Sequence, residues 1–279
     1  MNSFISAPLP ATPTRDTRFP DLESYKLNAA PMIPSTEELI KYGERSHYVT
    51  SVRLQEPGRA VPGIYKDFGL TAHIFTPLQD SYGSIQANSL HYFATTKGSF
   101  TPDIDPARHT LMINGLVTTA KVYTMADLMR LPSVSRMHFI ECGANSAMDW
   151  GRPAVPSVQY THGMLSCCEF TGVPLSLLLD DCGIDKSKAK WLLAEGNDGA
   201  SLTRSIPIER ALDDAIVAWG MNGEMLRPEN GYPLRLVVPG VQGVCWVKWL
   251  RRIEVGDAPY ATREESTQYT DLMPDGLSR

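Results

Sequence analysis

The chain has 279 residues, 43% hydrophobic and 20% charged, which is long and apolar enough to bury a substantial core. This composition excludes a disordered or fibrous protein. The net charge of −5 comes without a cluster of basic residues and therefore argues against nucleic acid as a partner.

The first part of the chain predicts little regular structure. Residues 1–34 are rich in Pro, Thr and Asn and lack sustained periodicity, which predicts an extended N-terminal arm. A capping box at residues 35–38 predicts a short helix that ends near Tyr42. Mostly loops follow up to Asp105, with strands expected at 72–75 and 90–94.

The remaining elements are clearer. Residues 136–142 carry apolar side chains without alternation, which predicts a strand covered on both faces. The other predicted strands are 110–114, 120–123, 190–194, 215–219, 234–238 and 247–255, and the predicted helices are 125–130, 175–182 and 208–213. A turn is expected at 221–223. Strands and short helices mix without a regular β-α-β period, so we predict an α+β fold with mixed β-sheets, in one domain over residues 35–260 followed by a tail over 261–279.

One cysteine lies in a distinctive loop. Cys142 follows the predicted strand directly and precedes Gly143, Ala144 and Asn145. Small residues let a bulky group approach the backbone, and a thiolate there would be a soft metal ligand or a nucleophile. The alternative is a buried core cysteine. The five cysteines form no C-x-x-C pair, which argues against structural zinc.

Two cations lie in an apolar stretch near the C-terminus. Arg235 and Lys248 flank a segment that contains Gly240 and Gly243. Buried cations need an anionic partner, which could be a carboxylate in a structural salt bridge or a phosphate that the glycines admit.

These segments carry a resemblance to a known family. Six motifs in the same order resemble the sulfite oxidase superfamily of molybdenum enzymes: 141–145, 205–207, 218–223, 231–235, 238–240 and 247–250. Further motifs resemble its sulfane dehydrogenase branch, the C subunit of the bacterial thiosulfate-oxidising Sox system: 42–45, 76–80, 102–106, 130–133, 160–163, 169–174 and 269–275.

The resemblance implies a sulfite oxidase-like molybdopterin-binding domain that contains molybdenum with molybdopterin. In that family a cysteine thiolate binds the metal, and Cys142 matches its position. The residues that would hold the pterin and its phosphate are Asn145, Asp198, Asn230, Arg235 and Lys248. Tyr269 would take the place of an active-site tyrosine. Lys97 and Arg152 are the candidate cations for an anionic substrate, with a surface role as the alternative for Arg152.

The implied activity is oxidation of a sulfur substrate by oxygen-atom transfer, with electrons passed to a cytochrome c-type acceptor. Sulfite oxidases carry a sulfite-binding arginine where this chain reads Ala94-Thr-Thr-Lys97, which favours sulfane sulfur carried on a protein over free sulfite. One alternative is a truncated, inactive cofactor- or partner-binding module of the same fold. Another is the reverse reaction, reduction of an oxide.

The resemblance also bears on partners and location. Family members continue into an immunoglobulin-like dimerisation domain, so the tail at 261–279 is expected to lead to one, and a homodimer or hetero-oligomer is expected. No C-x-x-C-H haem motif occurs, which implies a separate electron acceptor. The resemblance implies the periplasm, although no signal peptide is visible. The longest apolar stretch is too short for a membrane span.

Overall fold

The computed structural model describes residues 46, 48–55, 72–95, 101–267, 269 and 273–276. Those from Ser51 onward belong to one compact unit. The strands are β1 (Leu54–Gln55), β2 (Ala72–Phe75), β3 (Phe93–Thr95), β4 (Thr110–Gly115), β5 (Lys121–Thr124), β6 (Val134–Glu141), β7 (Leu165–Pro174), β8 (Trp191–Gly196), β9 (Thr203–Pro207), β10 (Ile216–Met221), β11 (Glu224–Met225), β12 (Arg235–Val237) and β13 (Leu250–Gly256). The helices are α1 (Met125–Arg130), α2 (Val158–His162), α3 (Leu175–Asp181), α4 (Ile208–Asp213) and α5 (Arg263–Thr267).

Within the described part of the chain, the strands form three sheets. One has five strands in the order β5-β4-β13-β8-β9, and β13 runs parallel to β4 but antiparallel to β8. The second has the order β11-β10-β7-β6, with β12 also paired to β10, and the third has the order β1-β2-β3. Mixed sheets with short helices confirm the predicted α+β class.

The core is built from fully apolar strands and one-sided helices. Every residue of β10 is buried. Helix α3 buries Leu175, Leu178 and Leu179, whose spacing places them on one face. Each such leucine contributes roughly 1.5–3 kcal/mol relative to an exposed one. Cys142 directly follows β6 and Arg235 begins β12, so this core anchors both residues.

Local signals in the sequence predict several boundaries well. Helix α1 begins at a capping box, because the Thr124 hydroxyl accepts from the Asp127 amide at 3.2 Å and the Asp127 carboxylate accepts from the Thr124 amide at 3.0 Å. The turn between β10 and β11 has Asn222 at φ 52° and Gly223 at φ 79°, the two left-handed positions that a tight hairpin requires. The predicted helices at 125–130 and 208–213 are confirmed.

The prediction that residues 136–142 are covered on both faces is wrong. β6 is an edge strand paired only with β7 among the described strands, and Met137 and Phe139 are 59% and 53% exposed. Met137 and Phe139 lie two residues apart on one face of the strand, and that face is open to solvent, whereas Ile140 on the opposite face is buried.

Other expectations are shifted or untested. The strand expected at 90–94 begins only at Phe93, because Asn88–Leu90 form a 3-10 turn. The strand expected at 247–255 begins at Leu250, since Trp249 has a φ of 52° and interrupts it. The arm at 1–34 and the helix at 35–42 lie outside the described residues, and the domain boundaries stay predictions. None of the described helices has the length and apolar character needed to cross a bilayer.

Candidate active site

Cys142 directly follows β6 and is held by a short hydrogen-bonded loop. Its amide donates to the Met164 carbonyl at 3.0 Å, and its own carbonyl accepts from the Asn145 amide at 2.9 Å. The Asn145 side chain ties the same loop, donating to Glu141 Oε1 at 2.9 Å and accepting from the Met164 amide at 3.0 Å. Asn145 thus fixes the Cys142 loop and does not itself line the adjacent cavity.

The glycines of this region allow close approach, but between parts of the chain itself. A Cβ at Gly143 would overlap the Gln242 side chain. A Cβ at Gly243 would lie 2.7 Å from the Tyr92 hydroxyl and 2.9 Å from the Glu141 carbonyl oxygen. These contacts bring the turn at 243–245 against the end of β6 and so shape the cavity wall beside Cys142.

Cys142 opens onto a cavity of about 810 Å³, counted with its open mouth. The cavity gathers residues from widely separated parts of the chain. Those predicted from sequence as site residues that line it are Cys142, Asp198, Asn230, Arg235, Lys248 and Tyr269.

Arg235 is a buried cation in an apolar setting. It is 3% exposed at the start of β12, and its guanidinium carbon lies 5.4 Å from the centre of the Phe170 ring. Nη1 donates to the Asn230 carbonyl at 3.1 Å and Nη2 to the Trp246 carbonyl at 3.2 Å. Among the described residues no carboxylate forms an ion pair with it, and Nε has no hydrogen-bond partner. Burial lowers the pKa of Arg235 to about 10, which still leaves it charged at neutral pH.

Lys248 lies beside Arg235 and is partly buried. Its Nζ donates to the carbonyls of Ala94 and Glu229 at 3.2 and 3.1 Å and lies 4.1 Å from the centre of the Phe93 ring. Burial and then the charge of Arg235 lower the pKa of Lys248 to about 7. Two cations at one place, without a carboxylate partner among the described residues, make an anion-binding site.

Two further polar atoms at this end of the cavity lack partners. His91 Nε2 and Asn230 Oδ1 are buried and make no hydrogen bond with the described groups. Burial lowers the pKa of His91 to about 3, so the ring is neutral. Because Nδ1 lies 2.6 Å from the Tyr92 carbonyl and must donate to it, Nε2 is an acceptor. These two unsatisfied acceptors, together with the unsatisfied donor Nε of Arg235, indicate a polar ligand.

Backbone conformation brings this polar end together. Gly231 has a φ of 109°, and a Cβ there would lie 3.0 Å from Lys248 Cβ and 3.2 Å from Arg235 Cβ. Asp198, in the loop after β8, accepts from the Leu202 amide at 2.8 Å through Oδ1. Its carboxylate therefore lines the cavity in a fixed orientation.

Tyr269 forms part of the cavity wall. Burial raises the pKa of its phenol, and the negative charge of a Cys142 thiolate raises it further, which reflects how close the two groups are. The phenol is therefore protonated at neutral pH and can donate a hydrogen bond into the cavity. The Arg204 guanidinium stacks against its ring, 4.8 Å from the ring centre.

Of the two predicted substrate cations, only Arg152 is described by the structure. Lys97 lies outside the described residues. Arg152 is exposed and does not line the cavity, so the geometry lends no support to its predicted role. Two further residues of this region were not predicted from the sequence. His91 is a single histidine between apolar residues, a pattern that does not indicate a site. Arg204 is buried in β9, whereas a charged side chain is expected to be exposed.

The groups that line the cavity indicate the kind of cofactor that it binds. A thiol at one point and an unpaired Arg–Lys pair with unsatisfied polar atoms at another suit a cofactor that carries both a metal-binding group and a phosphate.

Comparison with known proteins identifies that class. The pattern of the oxidoreductase molybdopterin binding domain matches residues 98–264, and this chain belongs to that family. The sulfite oxidase superfamily resemblance is thereby confirmed, and so is molybdenum with molybdopterin as the cofactor.

Individual relatives differ in the reaction that their names state. The chain is 29% identical over 280 residues to a nitrate reductase [NADPH] from Phytophthora infestans, covering 95% of this chain and 30% of that protein. It is 31% identical over 181 residues to mitochondrial sulfite oxidase from Drosophila melanogaster, covering 62% of this chain and 31% of that protein. The chain thus spans about a third of the length of these relatives.

A solved structure is more similar. The sulfane dehydrogenase SoxCD from Paracoccus pantotrophus matches with a TM-score of 0.78 and 38% identity, covering 90% of this chain and 62% of that chain. This likeness confirms the predicted closeness to the sulfane dehydrogenase branch.

The described residues fit the cofactor. The unpartnered Arg235 Nε and Asn230 Oδ1 offer a donor and an acceptor at the polar end. Burial raises the pKa of the Cys142 thiol, so a bound metal would have to displace its proton. In the part of the chain that the structure describes, no group of three or more His, Cys, Asp or Glu side chains is placed to hold a metal ion.

Proposed function

We propose that this protein oxidises a sulfur substrate, sulfane sulfur or sulfite, by oxygen-atom transfer and passes the electrons to a cytochrome c-type partner. The main observation in support is that the Cys142 thiol, Arg235 and Lys248 line the same cavity. The two cations have no carboxylate partner among the described residues. The likeness to the sulfane dehydrogenase SoxCD, at 38% identity, favours a sulfur substrate.

In this proposal the chain supplies binding and orientation. When bound, the cofactor supplies two-electron oxygen-atom transfer at molybdenum. The Cys142 thiolate holds the metal, and the Asn145 side chain keeps the loop of that cysteine in place. Arg235 and Lys248 neutralise the phosphate at the other end, and charge-assisted hydrogen bonds make such contacts strong.

Three further side chains complete the proposed site. Asn230 and Asp198 hydrogen-bond the pterin ring system. Tyr269 keeps its proton because burial raises the pKa of its phenol, so it donates a hydrogen bond to the oxygen-bearing end of the substrate.

The proposed partners follow from the same likeness. We propose a separate cytochrome c-type subunit as electron acceptor, in a hetero-oligomer or a dimer, and a periplasmic location. The SoxCD match supports a partner subunit. The substrate sulfur is either free or carried on a protein.

A second candidate is reduction of nitrate. The nitrate reductase of Phytophthora infestans aligns over 95% of this chain, more than the 62% that aligns with the sulfite oxidase. Nitrate reduction would use the same cavity and the same cofactor, with the opposite direction of electron flow.

The first experiment is metal analysis of the purified full-length chain and of Cys142→Ser. We expect about one molybdenum per wild-type chain and at least a tenfold loss in the variant, because serine is a poor ligand for a soft metal site. Cys167→Ser is the matched control and should keep its metal, since Cys167 is equally free and partly exposed but does not line the cavity. A folded, metal-free wild type would instead support an inactive binding module.

The second experiment decides the substrate. The loaded protein is assayed with sulfite, thiosulfate and a protein persulfide, using oxidised cytochrome c as acceptor, and with nitrate, using a reduced viologen dye as donor. Reduction of cytochrome c with a sulfur compound supports the proposal. Turnover of nitrate alone contradicts it and establishes the second candidate.

A further inference from the structure

The chain returns to the cavity after β13 through a segment that we call the C-terminal segment, residues 260–267 and 269. The Tyr260 amide donates to Ser205 Oγ at 3.1 Å, where the segment begins. Helix α5 follows, and the Tyr269 amide then donates to the Glu264 carbonyl at 3.0 Å. The position of Tyr269 in the cavity wall therefore depends on how this segment is attached to β9.

Arg204 of β9 is the point of attachment. It is 6% exposed and occupies an inward-facing position of the strand, where Ile206 is the next inward residue. Its Nε lies 3.2 Å from Glu265 Oε1, and the same carboxylate oxygen accepts from the Ser205 amide at 2.9 Å. On its other side the guanidinium stacks on the ring of Tyr269. One side chain thus contacts the segment at two points.

The pairing is poorly suited to a purely stabilising role. The contact of Arg204 with Glu265 is not aligned as a hydrogen bond. Three buried atoms of the pair make no hydrogen bond within the described part of the chain: Nε and Nη1 of Arg204 and Oε2 of Glu265. A buried ion pair with unsatisfied atoms costs desolvation energy and contributes little net stability. Its evident effect is geometric, since it fixes where α5 and Tyr269 lie.

We propose that Arg204 is a positioning residue, which holds the C-terminal segment through Glu265 and through the ring of Tyr269 so that Tyr269 forms the cavity wall beside Cys142. The inference rests on the proposed function only in that this cavity is the active site, and it holds for a sulfur substrate or for nitrate.

The test measures access to Cys142. The full-length chain, purified without cofactor, is treated with N-ethylmaleimide, and the rate of alkylation of each cysteine is followed by mass spectrometry. Tyr269→Ala should raise the rate at Cys142 at least fivefold, because it removes the wall. Arg204→Gln and Glu265→Gln should also raise it severalfold. The rate at Cys167, which is partly exposed but outside the cavity, should stay unchanged in every variant.

The two attachment variants separate position from charge. Loss of Arg204 removes a positive charge and would by itself favour the unreactive neutral thiol, whereas loss of Glu265 removes a negative charge and would favour the reactive thiolate. An electrostatic effect therefore gives opposite changes in rate, and a positioning effect gives the same increase in both. Opposite changes would overturn the proposal.

A double variant completes the experiment. Arg204→Gln combined with Tyr269→Ala should alkylate no faster than Tyr269→Ala alone, because both act on the same wall. An unchanged Cys142 rate in Arg204→Gln and Glu265→Gln would overturn the proposal, as would a parallel rise at Cys142 and Cys167, which indicates general loosening. If Arg204→Gln does not fold, Arg204→Lys replaces it, because lysine keeps the positive charge but not the planar guanidinium, so a faster Cys142 reaction in that variant reports position and an unchanged one overturns the proposal. The assay needs neither metal nor turnover, so its failure is distinct from failure of the proposed function.

Discussion

Arg235 and Lys248 lie together without a carboxylate partner among the described residues, whereas other arginines of the same fold are neutralised. Arg252, for example, lies 3.0 Å from Glu195 and 2.8 Å from Glu254. The unpaired cations cost free energy in the cofactor-free protein, and a bound phosphate recovers it. At the scale of single residues, the site is thus incomplete without an anion.

Lys248 makes a testable contribution to pH dependence. Its pKa in the folded protein is about 7, against roughly 10.4 when unfolded. Between these values the unfolded chain binds more protons, so the free energy of unfolding of the cofactor-free protein should rise with pH, by at most about 1.4 kcal/mol per pH unit. The partial exposure of Lys248 makes the expected slope smaller.

Urea unfolding at pH 7 and pH 9.5 measures this slope. Lys248→Met is the comparison, since it keeps the aliphatic stem and should flatten the slope. Inorganic phosphate should flatten it too, because it stabilises the charged lysine. An identical slope in wild type and Lys248→Met would show that another group is responsible.

The turn at 243–245 and the end of β6 form the element that presents Cys142. Gly243 packs so tightly on Glu141 and Tyr92 that a methyl group has no room without movement of the backbone. The same β6 is an exposed edge strand over most of its length. Its last residues are therefore held mainly by local contacts such as this one, and the position of the thiol depends on them.

Gly243→Ala should consequently move the cysteine loop. We expect a loss of about 1–3 kcal/mol in the free energy of unfolding, typical of overpacking, and a several-fold lower molybdenum content. Gly151→Ala is the matched control, because a Cβ there meets nothing within 4 Å. Normal metal content in a folded Gly243→Ala would show that the loop tolerates displacement.

For the molecule as a whole, cofactor binding and folding are coupled. A ligand that binds only the folded state stabilises it, by about 4 kcal/mol when its concentration is a thousand times its dissociation constant. In a domain of this size such a gain corresponds to a rise in Tm of about 10 °C.

Calorimetry of the loaded and cofactor-free chains tests this coupling. The loaded protein should melt several degrees higher, and the difference should shrink in Asn230→Ala, which removes one polar contact without adding charge. Equal melting temperatures of the two forms would mean that the charges of Arg235 and Lys248 are neutralised without the cofactor.

Sequence alone determined what depends on local spacing. The capping box at Thr124 and Asp127 and the Asn222-Gly223 turn are short-range patterns, and their structures follow from neighbouring residues. Six motifs in the same order, each a contiguous run of residues, predicted the family. The same local reasoning misjudged β6, since burial depends on what packs against the two faces of the sheet and not on the composition of the strand.

Only the tertiary structure decided which of these residues form one site. Cys142, Asp198 and Tyr269 come from three distant parts of the chain and meet at one cavity. Likewise, whether a charge such as Arg204 or Arg235 has a partner depends on side chains far away in sequence. The physical reason is that burial and electrostatic pairing are properties of space, which the order of residues specifies only through the whole fold.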